Sequence, residues 1–233
     1  MRQDLVQRNI ATLVHPPRIL EYEAHNLTPD EANRLLAVVR GDRLEALYLV
    51  SLILGLRQGE ALGLRWEDVN LAAGTMTIRR QLQVINGQPT FTEPKTQRSR
   101  RTIPLPAPVI DMLTRHRTRQ KEDRLAAGGR WQSQWGLVFA DELGAPASLS
   151  ALRRNFRDAR TRADLPHMRW HDLRHATSSF LAARGVHPIV AQAILGHASL
   201  ATTLSVYTHA RADANREATD LLGDLARVGT GTN

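Results

Sequence analysis

The segment WHDLRH, residues 170–175, carries the densest set of reactive side chains in the chain, and it opens a predicted helix. A spacing of three residues places His171 and Arg174 side by side on one helix face, so one anion can contact both. A zinc site is an alternative, because His171 and His175 are four residues apart, as in the HExxH pattern of metalloproteases. That interpretation is weaker, because Asp172 is shorter than the glutamate base and Arg174 would place a positive charge beside the metal. Packing of His175 in the core also stays open.

Two segments downstream carry further candidate residues. The segment LGHAS, residues 195–199, places His197 at a tight turn between two predicted helices, where Gly196 allows the reversal. Tyr207 follows in SVYTH, residues 205–209, on or near a helix. Taken singly, a histidine in a turn is often structural, and a lone helical tyrosine more often packs than reacts.

Around these segments the pattern predicts a mainly α protein with a small antiparallel β-sheet. The segment TPDE, residues 28–31, has the residues of a capping box and predicts a helix start. A second helix is predicted from about 43 to 56, and it is expected to be buried because it is apolar on most faces. Alternation in 75–84 and the hairpin signal Asn86-Gly87 predict short strands within residues 75–104. Further helices are predicted at 107–127, 148–164, 171–184, 187–195 and 200–227.

Composition points to a nucleic acid partner. The 233 residues carry a formal net charge of +8, which favours a polyanion because Lys and Arg displace the counterions condensed on phosphate backbones. Cysteine is absent, which excludes disulfides and cysteine-ligated zinc and suits a reducing cytoplasm. The opening residues have no apolar signal core, and the longest apolar run, 46–56, is too short to span a bilayer. Neither secretion nor membrane insertion is predicted.

The conjunction of the motifs is more specific than any one of them. HxxR at 171–174, LGH at 195–197 and YTH at 207–209, with LRQGE at 56–60 far upstream, resemble the tyrosine recombinase (phage integrase) family motif for motif. The resemblance implies the catalytic-domain fold of that family.

The resemblance also implies domain boundaries. The catalytic domain is expected to span residues 27–228. Residues 1–26 resemble the tail of a core-binding domain followed by the interdomain linker, and 229–233 are expected to form a flexible tail. Because full integrases of this family have an N-terminal core-binding domain, the chain is expected to be a fragment of one.

The resemblance implies a role for each motif residue. Tyr207 is the nucleophile, and His171 assists proton transfer. Arg57 and Arg174 bind the scissile phosphate, Glu60 orients Arg57, and His197 donates to a non-bridging oxygen. The charges suit this chemistry, because a phosphodiester gains negative charge as a nucleophile adds, and two guanidiniums stabilise that state. A tyrosine with an unperturbed pKa of about 10 is ionised at only about one part in a thousand at pH 7, so it needs a base or a cationic pocket. The family uses neither metal nor nucleotide cofactor, and none is expected here.

Lys95 matches the position of the lysine that protonates the leaving 5′ oxygen in this family. The chain has 29 arginines and only two lysines, Lys95 and Lys121, so an arginine would be the expected residue if any cation sufficed at 95. A proton donor must lose its proton, which lysine, with a pKa of about 10.4, can do and arginine essentially cannot. A surface lysine that contacts phosphate is the alternative.

Basic residues in two segments are candidates for DNA contact. Those predicted to lie on a loop against DNA are Lys95, Arg98, Arg100 and Arg101. Those that recur at helical spacing in 148–164 include Arg153, Arg154 and Arg157, for which a merely solvated face is the alternative.

The predicted function is site-specific recombination of double-stranded DNA through a 3′-phosphotyrosyl intermediate, in the cytoplasm of a bacterial cell or phage-infected host. Self-association on DNA is expected, since the family forms a tetrameric synapse. Residues 211–228 are predicted to form an amphipathic helix that packs on a neighbouring protomer, or alternatively on its own domain. A type IB topoisomerase and a DNA-binding regulator that has lost cleavage are the alternative functions.

Overall fold

A computed structural model describes residues 25–93, 100–197 and 199–210. These residues form helices joined by short strands and 3-10 turns, which confirms the predicted mainly α class with small antiparallel sheets. The helices are α1 (Pro29–Val38), α2 (Glu45–Ile53), α3 (Gln58–Leu62), α4 (Ala107–Ala127), α5 (Leu149–Arg162), α6 (Trp170–Ala183), α7 (Pro188–Leu195) and α8 (Leu200–Ala210). The strands are β1 (Val69–Asn70), β2 (Thr75–Ile78), β3 (Gln81–Ile85), β4 (Gln88–Thr92) and β5 (Arg101–Pro104).

The first two helices begin and end for local reasons. The capping box is present: the Glu31 N–H donates to Thr28 Oγ1 at 3.2 Å, and the Thr28 N–H donates to the Glu31 carboxylate at 2.8 Å. Helix α2 is shorter than the helix predicted over 43–56. It ends before Gly55, whose φ of +61° is a left-handed conformation that favours glycine.

The predicted single sheet is in fact two sheets. Strands β1, β2 and β5 form one antiparallel sheet, and β3 and β4 form a separate hairpin that turns at Asn86 and Gly87, as the turn signal predicted. The predicted strand over 75–84 is interrupted at Arg79 and Arg80. Arg80 Nη1 donates to Asp68 Oδ2 at 2.9 Å, and Asp68 is 5% exposed. A buried carboxylate needs such a partner, and Arg80 supplies it at the point where the strand is interrupted.

Helix α3, which the sequence did not predict, lies directly against strand β3. A Cβ at Gly59 would lie 2.9 Å from Leu82 O, and a Cβ at Gly63 would lie 2.8 Å from Leu82 N. Both contacts are shorter than side chains tolerate, so only glycine allows this approach. The two glycines thereby place the β3–β4 hairpin against α3, the helix that Arg57 immediately precedes.

The core surrounds α2, which packs against α1, α4 and α6. The rings of Tyr48, Phe156 and Trp170 contact one another in this core, with ring centroids 5.1 to 6.1 Å apart. Helix α8, which carries Tyr207, packs on α6, which carries the HxxR motif, and on α7. In the part of the chain that the structure describes, no helix is both long and apolar enough to cross a membrane. The predicted N-terminal linker, apart from 25 and 26, and the predicted helix at 211–228 lie outside the described residues.

Candidate active site

Arg57 and Glu60 form the first half of the site. Arg57 immediately precedes α3, and its backbone N–H donates to Glu60 Oε2 at 3.0 Å. Its guanidinium donates to Glu60 Oε1 at 2.7 Å through Nη1 and to Gly196 O at 3.0 Å through Nη2. The side chain of Glu60 is 3% exposed, whereas that of Arg57 is 34% exposed. A buried carboxylate thus holds an accessible guanidinium, which is the geometry that the prediction for Glu60 required.

Arg101 is found in this site and not on a DNA-facing loop, where the sequence analysis had placed it. Its side chain is 6% exposed and donates to Glu60 Oε1 at 3.2 Å, to Glu60 Oε2 at 3.0 Å and to Ile194 O at 2.7 Å. The burial pattern of β5 explains the difference, because Arg101 and Ile103 lie on the same face of the strand and Ile103 is core. This alternation was the signal that the sequence analysis missed.

Arg174 forms the second half of the site. Asp172 accepts the Arg169 N–H at 2.7 Å at the start of α6, and one turn later Arg174 points into the protein, 3% exposed. Arg174 Nη1 donates to Gly55 O at 2.6 Å, whereas Nη2 is buried and has no hydrogen-bond partner among the described residues. Burial, followed by the charge of Arg57, lowers the pKa of Arg174 to about 9, which leaves it protonated at neutral pH.

The two motif histidines lie within electrostatic range of both arginines. Burial, then Arg174 and Arg57, lower the pKa of His197 to about 4, and partial burial followed by His175 and the same arginines lowers the pKa of His171. Both rings are therefore neutral at pH 7. His197 Nδ1 lies 2.8 Å from Thr203 Oγ1, a fully buried hydroxyl that the sequence analysis did not single out. The ring of His175 contacts that of His171 edge-on, with centroids 5.0 Å apart.

Tyr207 lies on α8 and is 5% exposed. Its hydroxyl is buried and has no hydrogen-bond partner among the described residues. Burial raises the pKa of Tyr207, so the hydroxyl is protonated at neutral pH in this arrangement. The sequence analysis expected a base or a cationic pocket to activate this hydroxyl, and among the described residues no neighbouring charge lowers its pKa.

The remaining predicted residues fall into three groups. Lys95 and Arg98 lie outside the described residues. Arg153, Arg154 and Arg157 are all exposed on α5, and two of them, Arg153 and Arg157, line a groove that also includes His171. Arg100 is half-exposed and paired with Glu93 at 2.7 Å.

A metal centre finds no support in the described ranges. No group of three or more His, Cys, Asp or Glu side chains is arranged there so that it could hold a metal ion.

Comparison with known proteins gives the family. The chain is 32% identical over 221 residues to a "Tyrosine recombinase XerC-like" protein of Caldanaerobacter subterraneus, covering 90% of this chain and 56% of that protein. It is 32% identical over 214 residues to an "Integrase" of Streptomyces ambofaciens, covering 89% of this chain and 55% of that protein. The chain thus spans little more than half the length of these relatives.

Solved structures agree in fold. The integrase of transposon Tn1549, in complex with a circular intermediate DNA, superposes with a TM-score of 0.72 at 21% identity, over 92% of this chain and 70% of that one. A XerA recombinase superposes with a TM-score of 0.64 at 24% identity, over 89% of this chain and 66% of that one. The family model described as "Phage integrase family" matches residues 25–214. With that match spanning most of the chain, and with Arg57, Arg174 and the two motif histidines within electrostatic range of one another, the chain belongs to the phage integrase family of tyrosine recombinases.

Proposed function

We propose that this chain cleaves and rejoins double-stranded DNA at specific sites through a covalent bond between Tyr207 and a 3′ phosphate. The observation that carries the proposal is Nη2 of Arg174, which is buried without a hydrogen-bond partner among the described residues and lies near the partly accessible guanidinium of Arg57. A buried cationic donor without a partner is costly, and a phosphate oxygen would satisfy it. Family membership, and relatives named recombinases and integrases, support the same reaction.

Each step of the proposed reaction has a residue to perform it. Tyr207 Oη attacks the phosphorus and its proton passes to His171, which is neutral at pH 7 and able to accept one. The bond from phosphorus to the 5′ oxygen breaks, and Lys95 supplies the proton with which the 5′ hydroxyl leaves. Attack by the 5′ hydroxyl of a partner strand reverses the step. The phosphotyrosyl link conserves the bond energy, so the exchange requires no nucleotide.

The two arginines and His197 stabilise the charge that develops on the phosphate. Arg57 and Arg174 contribute fixed positive charges held by Glu60 and Gly55. A neutral His197 still has one ring N–H to donate to a non-bridging oxygen. Because these donors are positioned before substrate arrives, little reorganisation is needed in the transition state.

DNA is proposed to run along the groove beside the site. Arg153 and Arg157 line that groove together with His171, and Arg154 is exposed on the same helix. Arg100 stays a candidate contact through its half-exposed side chain, and Arg98 is a candidate by sequence. Arg101 is not proposed as a DNA contact, because its guanidinium is buried against Glu60.

A covalent trapping assay tests the proposal. Wild-type protein is incubated with a pool of nicked duplexes of random sequence, in which the short fragment released after cleavage diffuses away and prevents religation. We expect a protein–DNA adduct that resists detergent and whose DNA sequence shows an enriched site. Tyr207→Phe is expected to bind the same DNA and to form no adduct.

Two other outcomes would replace the proposal. Wild-type protein that binds the pool as Tyr207→Phe does, and forms no adduct, would indicate a DNA-binding regulator. Adduct formation with relaxation of supercoiled plasmid, but no exchange between two copies of the enriched site, would indicate a topoisomerase.

We also propose that the protein assembles on DNA, as a tetramer during strand exchange, with residues 211–228 packing on a neighbouring protomer. The reaction is proposed to take place in the cytoplasm of a bacterial cell or phage-infected host, where its DNA substrate lies. Sedimentation with and without DNA carrying the enriched site tests the assembly, and a species that stays monomeric on two-site DNA would contradict it.

A further inference from the structure

Glu60 is shared between two arginines. Its Oε1 accepts from Arg57 Nη1 at 2.7 Å and from Arg101 Nη1 at 3.2 Å, and its Oε2 accepts from the Arg57 backbone N–H at 3.0 Å and from Arg101 Nη2 at 3.0 Å. An ionised carboxylate has about four lone-pair sites, and all four are occupied here. Arg57 and Arg101 therefore hold the same carboxylate from two sides.

Because Glu60 is buried, its ionised state depends on Arg101. Burial by itself raises the pKa of Glu60, but hydrogen bonds and charge from Arg101, and then from Arg57, outweigh that effect and hold the pKa below its usual range. Arg101 is the more buried partner, 6% exposed against 34% for Arg57, so its interaction with Glu60 is less screened by water. Without Arg101, a carboxylate that is 3% exposed would keep a single cationic partner.

Arg101 also contacts the turn that carries His197. Arg101 Nε donates to Ile194 O at 2.7 Å, and Arg57 Nη2 donates to Gly196 O at 3.0 Å, so the two arginines hold nearby carbonyls of one turn. The fit is close, since a Cβ at Gly196 would lie 2.6 Å from Arg101 Nη1. Through Arg101, strand β5 thereby contacts both Glu60 on α3 and the end of α7.

We propose that Arg101 is a positioning residue for strand cleavage, which acts through Glu60 to orient the guanidinium of Arg57 and through Ile194 to hold the turn that carries His197. This inference rests on the proposed function for its effect on cleavage. It differs from a DNA contact, which would require an accessible guanidinium, and from a purely structural salt bridge, whose loss would lower stability and leave the chemical step unchanged.

Four variants separate these roles. Arg101→Gln removes the charge and the planar set of guanidinium N–H donors. Arg101→Lys keeps the charge but cannot bind both Glu60 oxygens and Ile194 O together. Arg57→Gln, alone and combined with Arg101→Gln, completes a double-mutant cycle. Arg43→Gln is the matched control, because Arg43 likewise joins a carboxylate, Asp123 at 2.8 Å, to a distant carbonyl, Asp141 O at 2.8 Å.

The first measurement is the rate of covalent trapping at saturating DNA, with thermal unfolding and DNA affinity recorded for each variant. We expect Arg101→Gln to slow trapping by about ten- to a hundredfold, by analogy with the loss of residues that orient the ligands of metal sites. Arg101→Lys should recover only part of the loss, and Arg43→Gln should trap at the wild-type rate even if it is less stable. The double variant should be slower than Arg57→Gln alone by less than the full effect of Arg101→Gln, because the path through Glu60 to Arg57 is already lost and only the path through Ile194 remains.

Three results would overturn the inference. Arg101→Gln could trap at the wild-type rate, its effect could multiply with that of Arg57→Gln, or it could weaken DNA affinity while leaving the rate at saturating DNA unchanged. The last result would return Arg101 to the role of a DNA contact.

The second measurement needs no cleavage. Nitrogen NMR of the arginine guanidiniums reports rotation about the Cζ–Nη bonds, with the Arg57 signal assigned by its loss in Arg57→Gln. We expect slow rotation for Arg57 in wild type and in Arg43→Gln, and fast rotation in Arg101→Gln. Unchanged rotation in Arg101→Gln would refute the link from Arg101 to Arg57. Wild-type protein that traps no DNA while rotation behaves as expected would refute the proposed function and leave the link standing.

Discussion

One hydrogen bond decides which nitrogen of His197 is available to a phosphate. With its pKa lowered to about 4, the ring is neutral at pH 7 and has one donor and one acceptor nitrogen. Nδ1 faces the fully buried hydroxyl of Thr203 at 2.8 Å. If that hydroxyl donates to Nδ1, the proton of the ring must lie on Nε2, and the ring becomes a donor on the side away from α8.

We therefore expect Thr203→Val to slow covalent trapping by about tenfold, since partners of the second ring nitrogen commonly have effects of that order. Valine has a similar shape without the hydroxyl, so His197 would lose its fixed tautomer. Thr203→Ser keeps the hydroxyl and should remain near wild type. Nitrogen chemical shifts of His197 report the tautomer directly, and a ring that already carries its proton on Nδ1 in wild type would contradict the explanation.

Arg57→Lys tests whether charge alone suffices beside the phosphate. A lysine ammonium cannot bind Glu60, Gly196 O and a phosphate oxygen in the planar arrangement of a guanidinium. We expect trapping to slow on the order of a hundredfold or more, which is the usual effect of removing one donor to a developing oxyanion. A loss of DNA affinity with an unchanged rate at saturating DNA would show instead that Arg57 only binds substrate.

At the scale of elements, the contact between α3 and β3 connects the arginine site to the hairpin that precedes the Lys95 segment. The backbone of β3 lies directly against α3, because Gly59 and Gly63 place no side chain between the two elements. Neither neighbour of Gly63, the backbone of Gln81 and that of Leu82, can rotate away as a side chain would.

Gly63→Ala is expected to destabilise the fold by about 1 to 3 kcal/mol, as overpacking in a tight contact does. Gly129→Ala is the matched control: among the described residues, no atom would lie within 4 Å of a Cβ at Gly129, and the φ of Gly129 is not positive, so this variant should be neutral or slightly stabilising. Urea unfolding of the two variants measures the difference. Equal stabilities would show that the hairpin moves freely relative to α3.

Helix α5 permits a test of the proposed DNA path. Arg153 and Arg157 line the groove with His171, so replacing both with Gln should lower the slope of log affinity against log salt by about 0.9 for each phosphate that the protein no longer neutralises. Arg124→Gln, on α4 and away from that groove, is the control. An unchanged slope in the double variant would mean that the charged face of α5 is only solvated.

At the scale of the whole molecule, we expect three histidines with lowered pKa values to make stability depend on pH. His116 is 7% exposed, its Nε2 lies 2.7 Å from Val138 O, and its Nδ1 is buried without a partner among the described residues. Burial lowers the pKa of His116 despite the bond to Val138, and the pKa values of His171 and His197 are lowered as well.

Because these folded-state pKa values lie below the unfolded value of about 6.5, the unfolded chain binds protons more readily. The stability they contribute is present above about pH 6.5 and is lost as pH falls toward the folded-state values. We expect the free energy of unfolding to decrease between about pH 7.5 and about pH 5 in urea titrations, and to decrease less in His116→Gln. An equal decrease in the variant would assign the effect to other groups.

Several features of this protein could be predicted from sequence because they depend on residues close together in the chain. The capping box at 28–31, the hairpin turn at Asn86-Gly87 and most helix positions follow from local hydrogen bonding and backbone preference. The fold class and the convergence of Arg57, Glu60, Arg174 and His197 followed from motif resemblance, and the structure brings those residues together. Their roles in cleavage stay predictions.

Other features were decided only by tertiary structure, because they depend on residues far apart in sequence. Strand 75–84 divides at the point where Arg80 reaches Asp68, and α3 lies where two glycines meet the backbone of β3. Arg101 looked like one more exposed cation in a basic segment, yet the fold buries it against a carboxylate 41 residues away. Sequence determined which charges are present in this protein, and the fold decided which of them are buried with a partner and which are left to meet a phosphate, because burial depends on packing between distant segments.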